Sequence, residues 1–203
     1  MKTVEFYYSV GSRYSYLAST QLDALAAECD CLFEWLPVNS AELMSRLGRN
    51  PFAGQPVSGQ YEWSYRERDA TRWAMLYGVP FLEPRGRVEF DPGQLAQACT
   101  AARRLGHVVA YSRSLFSAMF NEPTTVIGRD ECVRRAADCG MTADTFANML
   151  DDPATVGELE AVTARAHAAG VFGVPTFVME NELFWGNDRL VLLREHLKKG
   201  NVT

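Results

Sequence analysis

Two serines three positions apart, Ser12 and Ser15, follow a short apolar strand pattern and open a helical one. The amides and dipole at the N-terminus of a helix stabilise anions, and a Cys-x-x-Cys pair placed there is reactive for that reason. Serine cannot form a disulfide, but the Ser12 hydroxyl can donate a hydrogen bond to an anion that a ligand brings. Ser12 is therefore a candidate catalytic residue, with a sulfur anion on a bound cofactor as its natural partner. The alternative is that Ser12 only caps the helix.

A proline at the start of an apolar strand marks a second candidate position, in Val174-Pro175-Thr176. Proline cannot donate to a central strand ladder, so a cis bond before Pro175 would let the chain turn sharply where the strand begins. That geometry would expose the Val174 amide and carbonyl to a cleft, where a peptide-like ligand can pair with them as an added strand does. The alternative is a trans proline on an edge strand.

A third candidate lies where the last helical pattern begins, at Asn187 and Asp188. One of these residues is predicted to cap that helix, whose free amides can bind a carboxylate. The Asp188 carboxylate can pair with an ammonium group beside it. Together these groups suit an amino-acid head group such as the γ-glutamyl end of glutathione, with a simple helix cap as the alternative.

The two ends of the chain predict the elements that hold these positions. Residues 3–8 and 31–36 are short apolar strand patterns with a helical pattern between them, which predicts a parallel βαβ unit. Residues from 152 onward predict a helix, two strands and a final helix. In the middle almost nothing is typical of a strand, and helical spacing recurs at residues 43–47, 61–77, 92–106, 108–120, 130–139 and 143–150.

This order of elements predicts an α/β fold. We expect a thioredoxin-like βαβ…ββα domain from residues 1–40 and 151–203, with an inserted α-helical domain at 41–150. Such an all-α insertion overhangs the edge of the sheet and forms a cleft there.

Composition narrows the class of protein. The chain has 203 residues, of which 47% are hydrophobic and 22% charged, as in a globular protein. A net charge of −5 and the lack of a basic tract argue against nucleic acid as a partner. No apolar run approaches the ~20 residues that span a bilayer, so we expect a cytoplasmic protein with no membrane partner. The five cysteines include no Cys-x-x-Cys pair, so we expect buried thiols, no redox pair and no metal site.

Four segments, in order along nearly the whole chain, are similar to the 2-hydroxychromene-2-carboxylate isomerases, which are related to the kappa-class glutathione transferases. They are residues 7–18, 68–74, 170–177 and 184–190. The most specific blocks are Gly-Val-Phe-Gly-Val-Pro at 170–175 and Trp-Gly-Asn-Asp-Arg-Leu at 185–190. The resemblance implies a thioredoxin-like homodimer that binds glutathione at a cis-proline and acts on a small aromatic carboxylate.

The resemblance also implies a reaction and a role for each site residue. The family interconverts 2-hydroxychromene-2-carboxylate-like hemiketals and trans-o-hydroxybenzylidenepyruvates, in aromatic hydrocarbon degradation, by reversible addition of the glutathione thiolate. Ser12 would hold the sulfur as thiolate, and Val174 would pair with the cysteinyl backbone. Asn187 and Asp188 would hold the γ-glutamyl group. Asn50 would lie near the sulfur and the substrate.

Two positions depart from the family's pattern. Arg13 stands where the family has proline, and no lysine is present near Glu62 to bind the glycyl end of glutathione. Arg66 or Arg68 is a candidate replacement. We interpret Arg13 as solvated, with a contact to the substrate carboxylate as the alternative. The alternative functions are a kappa-class-like glutathione transferase, and a thioredoxin-fold binding protein or oxidoreductase relative with a non-redox site.

Four aromatic residues could line the cleft for a flat substrate ring. They are Trp63, Tyr65, Trp73 and Tyr77. Because they recur at helical intervals, we expect most of them to lie in the core instead.

Overall fold

The computed structural model describes residues 1–48 and 58–199, and the chain begins with the predicted parallel pair of strands. Strand β1 (Lys2–Tyr8) and strand β2 (Cys31–Pro37) run side by side with Phe6 opposite Trp35. Two helices connect them, α1 (Arg13–Ser19) and α2 (Leu22–Cys29), where the sequence pattern predicted one.

The connection breaks into two helices because hydroxyl side chains compete for backbone carbonyls. Ser19 Oγ donates to the Tyr16 carbonyl and Thr20 Oγ1 donates to the Leu17 carbonyl, each at 2.7 Å. Such bonds offer the backbone an alternative to the regular helical pattern, and the first helix ends there.

The middle of the described chain is mainly helical and close to the predicted positions. Its helices are α3 (Ser40–Arg46), α4 (Trp63–Tyr77), α5 (Pro92–Arg104), α6 (Val108–Phe120), α7 (Arg129–Asp138) and α8 (Ala143–Asp151). A 3-10 turn at Gly59–Tyr61 precedes α4.

The prediction of an all-α insertion needs one correction. Strand β3 (Glu89–Phe90) pairs in parallel with strand β4 (Val126–Ile127), so a small second sheet lies among the helices. Two residues are too few to show a period in the sequence, and the pattern therefore missed both strands.

The last part of the chain returns to the first sheet. Helix α9 (Pro153–Ala168) leads to β5 (Thr176–Met179) and β6 (Glu182–Trp185), and helix α10 (Leu190–Lys199) follows. Strand β5 is antiparallel to both β1 and β6, which gives the sheet order β2-β1-β5-β6. Because Tyr7 pairs with Thr176, the end of β1 lies beside the start of β5, and the turns that flank these ends meet at one edge.

Aromatic side chains join this sheet to the middle helices. Phe6 stacks on both Tyr8 and Phe177 with centroids 5.1 Å apart, and Tyr8 packs against Phe116 of α6 at 5.9 Å. The predicted α/β, thioredoxin-like fold is confirmed. The boundaries of the insertion at 41 and 150 stay a prediction, and the hydrophobic core runs across both.

The cysteines show no redox or metal arrangement within residues 1–48 and 58–199. Four are buried (Cys29, Cys31, Cys99 and Cys132), Cys139 is half-buried, and none forms a disulfide. Burial raises the pKa of each of these thiols. The same ranges contain no group of side chains that could hold a metal ion, and no helix there is long and apolar enough to cross a membrane.

Candidate functional site

Ser12 lies at the start of α1, and its hydroxyl makes two hydrogen bonds. Its Oγ accepts from the Ser15 amide at 3.2 Å, which caps the helix, and donates to the Val174 carbonyl at 3.3 Å. The cap that the sequence offered as the alternative is therefore present. The second bond joins Ser12 to the proline turn, 162 positions away along the chain. The hydroxyl is thus held at the edge of the sheet where β1 ends and β5 begins.

The Val174–Pro175 peptide bond is cis. Hydrogen bonds hold this turn on both sides, since Thr176 Oγ1 donates to the Gly173 carbonyl at 2.7 Å and the Gly186 amide donates to the Pro175 carbonyl at 2.9 Å. A Cβ at position 173 would lie 2.7 Å from Trp185 Nε1, so the close approach of the turn to Trp185 requires glycine. We call Ser12, Val174 and Pro175 the serine–proline region.

The residue before Ser12 connects this region to the small second sheet. Gly11 lies against the ring of Phe90, and a Cβ at position 11 would be 2.7 Å from Phe90 Cε2. Only a residue without a side chain allows the ring to remain where it is.

The prediction that Asn187 or Asp188 caps the last helix is wrong. The chain enters α10 through a 3-10 turn, Asn187–Arg189, so both residues lie inside the turn. The residue before the turn is Gly186, and no side-chain hydrogen bond caps this described turn. The capping pattern could not distinguish a direct helix start from an entry through a tighter turn.

The main chain of the 3-10 turn lies next to the serine–proline region, because the Gly186 amide donates to the Pro175 carbonyl and the turn packs against α1. Asn187 is buried, and its Nδ2 donates to the Tyr77 hydroxyl at 3.4 Å while that hydroxyl donates to the Asn187 carbonyl at 3.3 Å. Asp188 is half-buried and pairs with Arg189 at 2.5 Å. The remaining predicted site residue, Asn50, lies outside the described residues.

The interpretation of Arg13 as solvated is wrong, since only 6% of the residue is exposed. Its Nε donates to Glu83 Oε2 at 3.1 Å, and its Nη2 donates to Glu83 Oε1. The two residues are 70 positions apart, so no local pattern linked them. Arg13 is a buried, paired cation beside Ser12.

The four aromatic residues of the helix α4 pattern separate into two pairs. Trp73 and Tyr77 pack against the core, as predicted, but Trp63 and Tyr65 are 37% and 42% exposed. The expectation that most of the four lie in the core is therefore wrong for the first turn of α4. Helix α4 thus packs against the core at its C-terminal end, while the aromatic side chains at its N-terminal end are exposed.

Three arginines surround the Trp63 ring. The guanidinium carbons of Arg13, Arg66 and Arg85 lie 5.3, 5.1 and 5.1 Å from its ring centroids. Arg66 also lies 5.7 Å from the Tyr14 ring, and burial together with the charge on Arg13 lowers its pKa. We call Arg13, Trp63, Arg66 and Arg85 the arginine–tryptophan cluster. The sequence showed the separate residues but gave no sign of their convergence.

A cleft of about 530 Å³ lies elsewhere, between α3, α5 and α9. Its lining residues include Glu42, Asp91 and Glu160, and none of the predicted site residues. Its lining offers carboxylates and amides but no Ser, Cys or cationic side chain, so the serine–proline region stays the candidate site.

Comparisons with known proteins agree with this geometry. Residues 3–198 match the family described as DSBA-like thioredoxin domain. The chain is 29% identical over 196 residues to a 2-hydroxychromene-2-carboxylate isomerase of Sphingobium xenophagum, over 97% of this chain and 98% of that protein. It is 25% identical over 190 residues to the Pseudomonas putida protein of the same name, and the match covers 94% of this chain and 91% of that protein. A solved 2-hydroxychromene-2-carboxylate isomerase structure superposes with a TM-score of 0.83 at 25% identity. The superposition covers 97% of this chain and 95% of the solved one. The resemblance predicted from the sequence is confirmed.

Proposed function

The chain belongs to the family of DSBA-like thioredoxin domains, and from that premise we propose that it is a glutathione-dependent isomerase of an aromatic carboxylate. The similarity to proteins named 2-hydroxychromene-2-carboxylate isomerase supports an isomerase that acts in aromatic degradation. The proposed substrates are a 2-hydroxychromene-2-carboxylate-like hemiketal and the trans-o-hydroxybenzylidenepyruvate into which it opens.

One observation carries this proposal: Ser12 occupies the start of α1 and is hydrogen-bonded to Val174 across a cis-proline. A thiol in this place would make a redox centre, whereas a hydroxyl can only donate to a sulfur that comes from outside. Glutathione, when bound, would supply the thiolate whose reversible addition to the conjugated double bond allows that bond to rotate.

The residues present fit glutathione in their donor chemistry. The Ser12 hydroxyl can exchange its 3.3 Å bond to the Val174 carbonyl for a bond to the sulfur and still accept from the Ser15 amide. The Val174 main chain then becomes available to pair with the cysteinyl backbone, as an added strand would. A donor at this position stabilises sulfur as an anion and so keeps it nucleophilic near neutral pH.

The end of the site near the 3-10 turn fits the γ-glutamyl group. The Asp188 carboxylate would pair with the ammonium group in addition to its exposed partner, Arg189. The Asn187 side chain is engaged with the Tyr77 hydroxyl, so we assign the binding of the carboxylate to the main-chain amides of the turn.

The test is a rate measurement with o-hydroxybenzylidenepyruvate, followed by its ultraviolet absorbance with and without glutathione. We expect conversion only with glutathione, with all of the thiol recovered at the end. S-methylglutathione, which has no thiol, is the matched control and should give no conversion. Stoichiometric consumption of the thiol would indicate a transferase instead, and binding without turnover would indicate a binding protein; either outcome overturns the proposal.

A further inference from the structure

The last turn of helix α4 contacts the 3-10 turn that follows the last strand. Tyr77 is the final residue of α4, and its hydroxyl donates to the Asn187 carbonyl at 3.3 Å and accepts from Asn187 Nδ2 at 3.4 Å. The two residues are 110 positions apart along the chain. A single phenol hydroxyl thus joins the helical middle of the chain to the turn that carries Asp188.

The position of Tyr77 is itself well defined. Helix α4 ends directly after it, because Gly78 has a left-handed conformation (φ 67°) and its amide bonds back to the Ala74 and Met75 carbonyls. The Tyr77 ring packs against the core and lies 5.4 Å from the Trp73 ring. Burial raises the pKa of the Tyr77 hydroxyl, so the group stays protonated and can donate.

The other side of the 3-10 turn is held by the proline turn. The Gly186 amide donates to the Pro175 carbonyl at 2.9 Å, and the Arg189 amide donates to the Gly186 carbonyl at 3.3 Å. A Cβ at position 186 would collide with Asp188 Oδ1, so the Asp188 carboxylate folds back over Gly186. The position of this carboxylate therefore depends on how firmly the turn is held.

Asn187 transmits the effect of Tyr77 to this turn. It is only 3% exposed, so water has little access to its side-chain amide. Removal of the Tyr77 hydroxyl would leave the buried Nδ2 without this acceptor, which makes the present position of the turn less favourable.

We propose that Tyr77 is a positioning residue for the γ-glutamyl end of the glutathione site, and that it acts through Asn187 on the turn that carries Asp188. The proposal rests on the proposed function, from which it takes the place of the γ-glutamyl group. It deepens that function, since it names a residue of the helical middle that controls the affinity for the cofactor without a contact of its own to the ligand.

The test compares Tyr77→Phe with a matched control, Tyr111→Phe. The Tyr111 hydroxyl also donates to a main-chain carbonyl, that of Cys132 at 3.0 Å, but Tyr111 lies in α6 and this bond joins it to α7. Calorimetry measures the binding of glutathione and of cysteinylglycine, which lacks the γ-glutamyl group. Steady-state rates give KM for glutathione and kcat.

We expect Tyr77→Phe to bind glutathione about fivefold more weakly, as the loss of one hydrogen bond predicts, with a matching rise in KM and little change in kcat. Cysteinylglycine should bind equally to this variant and to the original protein. Tyr111→Phe should lose stability but keep the affinity for both peptides.

Amide hydrogen exchange supplies a measurement that needs no ligand. In Tyr77→Phe the amides of Gly186 and Arg189 should exchange about fivefold faster than in the original protein, because the turn opens more often. In Tyr111→Phe their exchange should not change. Weaker glutathione binding with unchanged exchange would indicate a direct contact between the hydroxyl and the ligand, and would overturn the positioning role.

Other outcomes separate this proposal from the proposed function. Equal weakening of glutathione and cysteinylglycine, unchanged binding of both, or the same loss in Tyr111→Phe overturns the role of Tyr77 alone. An original protein that binds no glutathione overturns both proposals. Glutathione binding without turnover overturns the isomerase and leaves the comparison of the two peptides valid.

Discussion

The serine–proline region and the arginine–tryptophan cluster begin one residue apart, at Ser12 and Arg13, but they are built from different parts of the chain. The first depends on main-chain groups and one short side chain, and the ends of two neighbouring strands position it. The second depends on long charged side chains and one exposed indole that converge from separate segments.

The serine–proline region is positioned by the main chain of the sheet, whereas the arginine–tryptophan cluster depends on particular side chains. In this chain the main-chain pairing of β1 with β5 brings the start of α1 and the proline turn together. The three guanidinium groups have no such support from the sheet. We therefore expect the serine–proline region to decide the type of chemistry, and the Arg13–Glu83 pair of the arginine–tryptophan cluster to contribute to stability.

The largest change in stability should come from removing the carboxylate that pairs with Arg13. Glu83→Gln leaves the buried Arg13 without its carboxylate, so the free energy of unfolding should fall by about 3 kcal/mol. Urea denaturation measures this change. Glu42→Gln breaks an exposed pair with Arg46 and serves as the control, with an expected loss below about 1 kcal/mol. Equal losses in the two variants would show that the Arg13 pair is not buried in solution.

The next effect tests the serine–proline region. Ser12→Ala removes the donor to the sulfur anion, so turnover should fall about a hundredfold, as for loss of one oxyanion donor. Because Ser12 also caps α1, unfolding should become easier by about 1 kcal/mol. Steady-state rates and urea denaturation measure the two effects.

A matched cap separates these effects. Thr142 caps α8 through the Thr145 amide at 3.2 Å, the same distance as in the Ser12 cap. Thr142→Ala should lose about the same stability, ~1 kcal/mol, and keep full turnover. If Ser12→Ala also kept full turnover, Ser12 would be a helix cap and nothing more.

The positions of Ser12 and Pro175 in the fold could be predicted from the sequence because the patterns that place them are local. An apolar strand followed by Ser-x-x-Ser fixes the start of a helix, and a proline at a strand start indicates a turn. The parallel βαβ pattern then brings the end of β1 to a defined edge. These inferences need only the immediate neighbours of Ser12 and Pro175.

The sequence did not predict the cluster because its contacts depend on side chains that are far apart in the chain. Nothing near Arg13 indicates that Glu83 would pair with it, and a solvated arginine was the simpler interpretation. The helical spacing of Trp63 suggested a core position, but α4 buries mainly Ala70 and Ala74, while Trp63 and Tyr65 remain exposed. The cap predicted at Asn187 or Asp188 is wrong for a related reason, since a single 3-10 turn shifts the helix start.

A smaller effect tests the packing behind the proline turn. Gly173→Ala places a methyl group against the Trp185 indole, so we expect a loss of about 1 to 3 kcal/mol and turnover reduced about tenfold. Gly157→Ala, inside α9 with open space around it, is the control and should gain about 0.5 to 1 kcal/mol. Thermal unfolding measures the change in stability of both variants, and steady-state rates measure their turnover. A stable, fully active Gly173→Ala variant would mean that the turn can move away from Trp185.

The last prediction concerns the chain's own cysteines. Since the proposed reactive sulfur belongs to glutathione, the cysteine thiols of the native protein should react little. Burial raises the pKa of Cys99 to about 12 and that of Cys132 to about 11. At pH 8 about one in a thousand Cys132 thiols is ionised, and fewer at Cys99, so the native protein should react slowly with a disulfide reagent. The rate should rise with pH, since the thiolate is the reacting form, and all five thiols should react once the chain is unfolded. Fast reaction of Cys99 or Cys132 in the native protein at neutral pH would contradict the burial of these two thiols.

The contact between Gly11 and Phe90 joins the turn before α1 to the small second sheet, and it limits which residues fit at both positions. Phe90 belongs to the short strand β3, while Gly11 lies in the turn that leads to Ser12. An alanine at position 11 would push against the phenyl ring, and a smaller side chain at position 90 would remove that clash. These two positions should therefore change together during evolution, so that homologous chains with a larger residue at 11 carry a smaller one at 90.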